Sequence, residues 1–303
     1  MTVLFDRSVP SPTEILELDP EGADLLLDDL ERAVPVHPPF VALAPGAVEE
    51  AVVFGDTHGD WRSTLEVVDR FSVGPEPRFL IGLGDYVDRA PRDCPNGSVA
   101  NALHLLSLAA RFPERVILLQ GNHETSRQVP VVPHTLPEEV DDLWGPEEER
   151  YHRVVGLLER GPLAASTPSG AFLAHAGFPR RLASPRWTDS FDRLDDEGLC
   201  EVVWAECDAS RNRRGAARPW GARDLEGFLG TAGLKVLLRG HDPDVCGRPL
   251  YAGRCLTLHT TRIYERYGGV IVARLPLRAP LETVRDLRVE HLSTEGRSFP
   301  SPE

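Results

Sequence analysis

Five short apolar runs, each followed at once by polar residues and glycine, constrain this chain more than any other feature. Each run contains β-branched or aromatic residues and is short enough to be a buried strand. Helical patterns lie between them, as over residues 62–71 and 99–111. Strands that alternate with helices predict an α/β fold in which helices cover the faces of the sheets. The predicted strands span residues 52–54, 79–83, 116–119, 172–174 and 236–238.

The first 45 residues predict a helical extension in front of this fold. Ser11 begins a capping box that ends at Glu14, and Asp19 stands before Pro20 where a second helix would start. Leucines recur at helical spacing from there until Pro35 stops the helix. We therefore expect an N-terminal helical extension over residues 1–45, one domain over 46–292 and a polar tail over 293–303.

Two segments interrupt the alternation of strands and helices. Residues 128–149 are rich in proline and acidic side chains and show little apolar periodicity. We expect a surface excursion or lid there. Residues 204–221 are short of strand signals and rich in arginine.

Composition excludes several classes of protein. The 303 residues contain 33 Lys and Arg against 47 Asp and Glu, a formal charge of −14, which argues against binding nucleic acid through its phosphates. No apolar run approaches the roughly 18 residues of a membrane span, and residues 1–6 lack the features of a signal peptide. We therefore expect no membrane association and a cytoplasmic location.

The five cysteines form no C-x-x-C pair and are expected to be free thiols.

Every predicted strand runs directly into a cluster that contains Asp, His or Asn. Loops at the carboxyl ends of strands in such sheets open on one edge, where ligands bind. We therefore expect the five clusters to meet at a single site. Their sequences are GDTHGD at 55–60, GDYVDR at 84–89, GNHE at 121–124, HAG at 175–177 and RGH at 239–241.

The residue types in these clusters suit divalent metal ions. Carboxylate, imidazole and amide oxygen without thiolate favour Mn, Fe or Zn. Asp56 and His58 are two residues apart on an extended turn and can face one ion, while Asp85 is placed to bridge two. Two ions about 3.5–4 Å apart can share a hydroxide and support an in-line displacement at phosphorus. The second ion would be completed by Asn122, His175 and His241.

In this order, the five clusters resemble the motifs of the phosphoprotein phosphatase (PPP) superfamily of dimetal serine/threonine phosphatases. The family pattern is GDxHG, GDxVDRG, GNHE, HGG and RxH. The resemblance, closest to the bacterial type, implies a calcineurin-like metallophosphoesterase fold with residues 46–292 as the catalytic domain. Such a fold is an α/β structure, a β-sandwich of mixed sheets flanked by helices. The resemblance implies one metal ion held by Asp56, His58 and Asp85, and a second held by Asp85, Asn122, His175 and His241.

The resemblance also implies four catalytic side chains. His123 would be the general acid, Asp88 would orient it, and Arg89 and Arg214 would bind the phosphoryl group. General chemistry supports this division of roles, because a serine alkoxide is a poor leaving group and needs a proton donor. A guanidinium group also matches phosphoryl oxygens better than an ammonium group does. The alternatives to Arg214 are Arg211, Arg213 and Arg218.

Several positions depart from the family pattern or fall outside it. Residues 259–264 stand where the eukaryotic enzymes carry a Ser-Ala-Pro-Asn-Tyr loop over the cleft, so substrate choice and docking of a regulatory subunit are not carried over. Glu124 is expected to orient a ligand residue or to cap a helix. Histidines without motif context are expected to be structural or exposed, and they are His37, His104, His134, His152, His259 and His291.

These observations predict a dimetal-dependent phosphomonoesterase, most simply a serine/threonine protein phosphatase acting on a phosphoprotein or phosphopeptide. A metal-bridging hydroxide would attack the phosphate ester directly, with His123 as the acid. Two divalent ions are expected, with Mn²⁺ in first place and Fe or Zn as alternatives. A dinucleoside polyphosphate (Ap4A-type) hydrolase or another small-molecule phosphatase is the alternative, although Glu124 favours the protein phosphatase. A phosphoprotein-binding module without activity is disfavoured because every expected ligand is present.

Overall fold

Two mixed sheets face each other at the centre of the molecule. The structure is a computed structural model, and it describes residues 9–72, 77–183, 186–212 and 214–292. The predicted polar tail over 293–303 and Arg213 lie outside the described residues.

All five predicted strands are present, each with bounds within two residues of the expected ones. The strands of the described ranges are β1 (Phe40–Ala42), β2 (Glu50–Phe54), β3 (Phe79–Gly82), β4 (Val116–Leu118), β5 (Ala164–Ser166), β6 (Ala171–Ala174), β7 (Val236–Arg239), β8 (Cys255–Thr257), β9 (Ile271–Pro276) and β10 (Arg288–His291). One sheet has the order β1-β5-β6-β7-β8 and the other the order β10-β9-β2-β3-β4. The runs β2-β3-β4 and β6-β7-β8 are parallel, so their carboxyl ends lie at common edges.

Neighbouring residues along the central strands face opposite layers, as the pleat of a strand requires. Val53 packs in the core between the two sheets, whereas Val52 packs against helices. In the other sheet Leu173 lies between the sheets, and Phe172 packs under the outer helices. The layers therefore run helix, sheet, sheet, helix, which confirms the predicted α/β sandwich of mixed sheets flanked by helices.

Helices cover both outer faces of the sandwich, and both helical stretches named from the sequence are helical. Within the described ranges, none of the helices combines the length and the apolar character needed to cross a membrane. The helices are α1 (Pro12–Leu16), α2 (Pro20–Ala33), α3 (Trp61–Ser72), α4 (Gly97–Arg111), α5 (Leu136–Trp144), α6 (Glu148–Leu158), α7 (Asp196–Val203), α8 (Ala222–Ala232) and α9 (Glu265–Gly268).

The N-terminal segment forms the helices that its capping residues predict. Ser11 and Glu14 make the reciprocal bonds of a capping box at α1, and the Asp19 carboxylate accepts a hydrogen bond from Gly22 N at the start of α2. Arg153 of α6 forms ion pairs with three acidic side chains of α2, which ties the extension to the main body. Strand β1 pairs with β5, so the first sheet already begins inside the proposed extension. The boundary at residue 46 stays a prediction.

The second half of the predicted excursion over 128–149 contains the helix α5. Its apolar residues are periodic, which differs from the expectation. Leu136, Val140 and Trp144 recur every four residues and are buried on one side of α5. Trp144 Nε1 also donates to Leu18 O at 3.1 Å. Glu138, Asp141 and Asp142 between these positions are exposed and obscure the pattern in the sequence, whereas Glu139 is half-buried and accepts from Ser98 N.

Candidate metal centre

The five strand-end clusters meet at one edge of the sandwich. The loop after β2 lies against the loop after β3, because His58 N donates to Asp85 O at 2.9 Å. The loop after β4 joins them through His123 N, which donates to Asp85 Oδ1 at 3.1 Å. From the other sheet, His241 N donates to Asp56 Oδ1 at 2.9 Å. The structure therefore brings together residues that are far apart in the sequence.

Backbone geometry helps to direct these side chains. His58, Asp85, Asp88, Arg89 and His241 all have positive φ values, between 45° and 70°. Residues with side chains rarely adopt this left-handed conformation, and it concentrates at functional sites. The surrounding contacts must therefore offset the local strain.

Two glycines leave room for the carboxylates. A Cβ atom at Gly121 would collide with Asp85 Oδ1, and one at Gly240 would collide with Asp56 Oδ1. Glycine is therefore required at both positions because the carboxylates approach the backbone closely.

One group of ligand atoms gathers beside Asp85. His175 Nε2 lies 3.4 Å from Asp85 Oδ2, 3.0 Å from Asn122 Oδ1 and 3.2 Å from His241 Nδ1. His241 Nδ1 is also 3.0 Å from Asn122 Oδ1. All four side chains are buried, and Asp85, His175 and His241 have the mutual spacing of metal ligands.

A second group shares the Asp85 carboxylate. His58 Nε2 lies 3.6 Å from Asp85 Oδ2 and 3.8 Å from Asp56 Oδ2. His123 Nε2 lies 4.0 Å from Asp85 Oδ2, and His58, Asp85 and His123 form a set whose ligand atoms all lie within 4.8 Å. The structure thus places Asp56 beside His58, as the sequence predicts, and brings His123 close to the same centre.

Backbone carbonyl groups fix the orientation of two imidazole rings. His58 Nδ1 lies 3.0 Å from Val87 O, and His175 Nδ1 lies 2.9 Å from Leu83 O. Because a carbonyl oxygen only accepts, Nδ1 of each ring carries a proton, and Nε2 is the nitrogen that presents a lone pair to the cluster when the ring is neutral. Metal-binding histidines are oriented in this way.

The protein alone leaves the charges of this cluster unbalanced. Burial raises the pKa of Asp56 to about 7, with a further rise from the charge of Asp85 and an opposing effect of His175. Burial also lowers the pKa of His58 to about 3, which keeps that ring neutral. Burial would raise the pKa of Asp85 and lower that of His175, but the attraction between the two side chains outweighs burial. The pKa of Asp85 therefore lies well below its usual value, and that of His175 is raised to about 9.

These residues fit divalent metal ions. Two carboxylates, three imidazole rings and an amide oxygen converge in a buried space, and His175 Nε2 and His241 Nδ1 face each other at 3.2 Å. A cation between such nitrogen atoms would satisfy their lone pairs and neutralise the charges of Asp56 and Asp85. The donors are oxygen and nitrogen without sulfur, which suits Mn, Fe or Zn.

Asp88 holds His123 beside this centre. His123 Nδ1 is 2.5 Å from Asp88 Oδ2, and neither side chain is exposed. An ionised carboxylate only accepts, so Nδ1 of His123 is the donor in this pair. His123 Nε2 has no hydrogen-bond partner among the described residues. This nitrogen is therefore free to act on a group bound at the centre.

Glu124 ties the loop after β4 to the loop after β3. Its carboxylate accepts hydrogen bonds from Asp85 N at 2.7 Å and from Tyr86 N and Gly121 N at 2.8 Å each. Burial raises the pKa of Glu124, and so does the charge of Asp85. Of the two roles expected for Glu124, the contacts match the orientation of a ligand residue.

Arg89 reaches the centre from its rim, next to the loop over residues 259–264. Arg89 Nη1 donates to Tyr264 OH at 3.1 Å. The Tyr264 ring also lies edge-on to His58, with 5.7 Å between the ring centroids. The loop that replaces the eukaryotic signature therefore lies directly over one side of the centre.

Arg214 approaches from the opposite sheet. Its Nη1 atom lies 2.6 Å from His241 Nε2, and its side chain is 29% exposed. Arg211 and Arg218 are exposed residues of the same segment, and Arg213 lies outside the described residues. The contact with His241 therefore favours Arg214 over Arg211 and Arg218.

Two histidines that the sequence did not single out also lie beside the site. His259 is buried, with Nδ1 3.4 Å from Asp56 Oδ2. It follows β8 as the motif clusters follow their strands, and this position could have indicated His259 from the sequence. His134 Nδ1 lies 3.0 Å from Asp88 Oδ2. No local pattern points to His134, because its place depends on how residues 128–149 pack.

Comparison with known proteins identifies the family. Residues 51–245 match the calcineurin-like phosphoesterase family. The match covers more than half of the chain, and the chain belongs to this family, which uses a dinuclear divalent metal centre. All ten residues predicted for the site lie within the matched range.

Curated relatives confirm the resemblance to the PPP superfamily. The serine/threonine-protein phosphatase PP2A-like PPG1 of Candida albicans is 28% identical over 257 residues, which are 82% of this chain and 59% of that protein. A probable serine/threonine-protein phosphatase of Encephalitozoon cuniculi is 29% identical over 276 residues, 87% of this chain and 55% of the relative. The chain therefore spans little more than half the length of these relatives.

Solved structures share the fold. A protein serine/threonine phosphatase from Saccharomyces cerevisiae, with similarity to human phosphatase PP5, has a TM-score of 0.72 and 20% identity over 93% of this chain and 92% of its own. A candidate diadenosine tetraphosphatase has a TM-score of 0.51 and 18% identity over 86% of this chain and 100% of its own. At these identities the likeness shows the fold alone.

Proposed function

We propose that this chain is a dimetal-dependent phosphomonoesterase that removes phosphate from phosphoserine and phosphothreonine in proteins. The observation that carries the proposal is the position of His123, whose Nε2 lies 4.0 Å from the shared Asp85 carboxylate while Asp88 holds its Nδ1. A proton donor in that position serves an ester whose leaving group is a poor one. The names of the two curated phosphatase relatives support the same substrate class.

The buried donor set is the proposed metal site. When bound, two divalent ions acidify water and neutralise charge on the phosphoryl group. Mn²⁺ is the preferred identity and Fe or Zn the alternatives, because the donors are oxygen and imidazole nitrogen. One ion would be held by Asp56, His58 and Asp85, and the other by Asp85, Asn122, His175 and His241.

Four further side chains complete the proposed chemistry. His123 Nε2 gives a proton to the leaving oxygen, and Asp88 stabilises the imidazolium form by accepting from Nδ1. Arg89 and Arg214, at opposite sides of the centre, bind the phosphoryl oxygens through their guanidinium groups. No regulatory subunit is part of the proposal, and the cytoplasmic location stays a prediction.

A substrate panel tests this function. The Mn²⁺-loaded chain should release phosphate from a phosphoserine peptide much faster than it hydrolyses diadenosine tetraphosphate. His123→Ala should lower kcat on the peptide by about 100- to 10,000-fold, the usual contribution of a general acid, without loss of bound Mn²⁺. His152→Ala, an exposed histidine of α6, is the control. Preference for the dinucleotide would favour the alternative function, and normal activity of His123→Ala would remove the general-acid role.

A further inference from the structure

A second histidine lies on the other side of Asp88 from His123. His134 Nδ1 is 3.0 Å from Asp88 Oδ2, the same oxygen that lies 2.5 Å from His123 Nδ1. The Asp88 side chain is not exposed, and that of His134 is 21% exposed. One carboxylate oxygen thus joins a ring at the metal centre to a ring near the surface.

The start of α5, with Thr135 as the residue that caps it, holds the other oxygen of Asp88. Thr135 N and Leu136 N donate to Asp88 Oδ1 at 2.6 and 2.9 Å. Backbone N–H groups in the first turn of a helix have no partner within the helix, so a carboxylate satisfies them. Thr135 Oγ1 also donates to Asp88 Oδ1, at 3.4 Å. Together with the two imidazole rings, these groups surround the Asp88 carboxylate with five donors and define one orientation of it.

The protonation pattern along this chain of contacts follows from the donors and acceptors. Despite the opposing effect of burial, hydrogen bonds from His123 and His134 lower the pKa of Asp88. The ionised carboxylate only accepts, so Nδ1 of each ring donates to it. On the other side of the His134 ring, Nε2 lies 2.9 Å from Tyr151 OH. The contacts form the chain Tyr151, His134, Asp88, His123.

We propose that His134 is a positioning residue for the general acid. It fixes the Asp88 carboxylate in the orientation that holds the His123 ring with Nε2 toward Asp85. This inference rests on the proposed phosphomonoesterase function. Without His134, Asp88 Oδ2 keeps only His123 as a partner, and the carboxylate can turn toward the donors of α5.

Leaving-group dependence separates this role from a merely structural one. Protonation of the leaving group matters more for phenyl phosphate than for 4-nitrophenyl phosphate, because 4-nitrophenolate leaves readily without a proton. A variant that misplaces His123 should therefore lose more activity on phenyl phosphate. A variant that only loosens the fold or the metal centre should lose activity on both esters alike.

The test measures kcat and KM of the Mn²⁺-loaded chain for both esters. His134→Phe should lower kcat on phenyl phosphate by about 10- to 100-fold, the range seen for groups that orient a functional side chain, with a smaller loss on 4-nitrophenyl phosphate and little change in KM. His134→Asn, which keeps a donor near the position of Nδ1, should recover part of the loss. Tyr151→Phe should give a weaker form of the same pattern. His152→Phe, next to Tyr151 but paired with Glu148, is the matched control.

A double-mutant comparison tests whether His134 acts through His123. In a His123→Ala background, His134→Phe should cause no further loss of kcat on phenyl phosphate, because the side chain that it positions is absent. A further loss as large as in the wild-type background would overturn the proposal.

A metal-free measurement gives an independent result. The proton NMR spectrum of the full chain with ¹⁵N-labelled histidine should show two Nδ1–H signals shifted downfield by the contact with Asp88. His134→Phe should remove one signal and move the other, and His123→Ala should remove the second. Unchanged signals in His134→Phe would overturn the contact on which the proposal rests.

The outcomes for the proposal and for the function are distinguishable. A wild-type chain that hydrolyses neither ester with Mn²⁺ would overturn the phosphomonoesterase function and this inference with it. An active wild type in which His134→Phe lowers kcat on both esters equally would overturn the positioning role alone.

Discussion

Two buried carboxylates in the loop after β2 have opposite surroundings. Asp60 is fully paired by protein groups, since Arg262 Nη2 donates to its Oδ1 at 2.8 Å and Ser63 Oγ donates to its Oδ2 at 2.8 Å. Asp56, four residues earlier, faces imidazole rings, and burial raises its pKa to about 7. The protein balances the charge of Asp60 itself, whereas Asp56 lies among the proposed ligands of a cation.

The loop after β3 repeats this division. Asp88 accepts from two histidines and from two backbone N–H groups at the start of α5, so its charge is satisfied within the protein. Asp85 lies among the ligand atoms of both groups of the metal centre. In each loop the first aspartate therefore lies among the proposed metal ligands, and the aspartate three or four residues later is paired by groups of the protein.

The largest effect should come from the carboxylate shared by both groups. Asp85→Asn removes its charge while nearly keeping its shape, so pairing of two ions should fail. We expect kcat to fall by about 1000-fold or more, as loss of several kcal/mol of transition-state stabilisation implies. Measured together with bound Mn²⁺ and circular dichroism, the variant should remain folded and bind less metal. A folded variant with full metal content and activity would contradict the shared role.

Removal of the arginine that pairs with Asp60 should lower the stability of the fold and leave Mn²⁺ binding unchanged. Arg262→Met leaves the buried Asp60 without its guanidinium partner, and we expect the free energy of unfolding to fall by about 2–3 kcal/mol, as for a buried charge that loses its partner. Urea denaturation of the metal-free chain measures this loss, and Mn²⁺ affinity should stay close to that of the wild type. Arg266→Met, an exposed arginine of α9, is the control. Weakened Mn²⁺ binding without loss of stability would show that Asp60, rather than being paired only for stability, contributes to the metal centre.

The smallest effect concerns a histidine of α4 whose ring contacts the N-terminal segment. Burial lowers the pKa of His104, whose Nδ1 donates to Pro10 O at 2.7 Å. Its folded-state pKa lies below the unfolded value of 6.5, so the unfolded chain binds more protons below that pH and stability falls as the pH falls. One such group changes the free energy of unfolding by at most about 1.4 kcal/mol per pH unit.

His104→Asn keeps a donor but cannot titrate. Its free energy of unfolding, measured in urea at pH 7.5 and pH 5.5, should fall less between the two conditions than that of the wild type. The difference should be confined to pH values below about 6.5. An identical fall in both proteins would show that His104 is not buried as a neutral ring.

Local signals made most of the fold and of the metal centre predictable. Each motif holds its strand end, its ligand residue and a glycine within a few positions, so Asp56, Asp85 and Asn122 could be placed from the sequence. Other features depend on packing over long distances. Asp60 and Arg262 are 202 residues apart, and no local pattern connects them. Likewise, His134 contacts Asp88 only because α5 is a packed helix, and the exposed acidic residues of α5 concealed its buried face in the sequence.

The bridging position of Asp85 is tested most directly by electron paramagnetic resonance of the full chain titrated with Mn²⁺. Two ions about 3.5–4 Å apart are coupled through their shared ligand. At saturation the wild type should hold two Mn²⁺ per chain and give the spectrum of a spin-coupled pair, and Asp85→Asn should lose that coupling. A saturated wild-type chain with one Mn²⁺, or with the spectrum of isolated ions, would contradict a dinuclear centre.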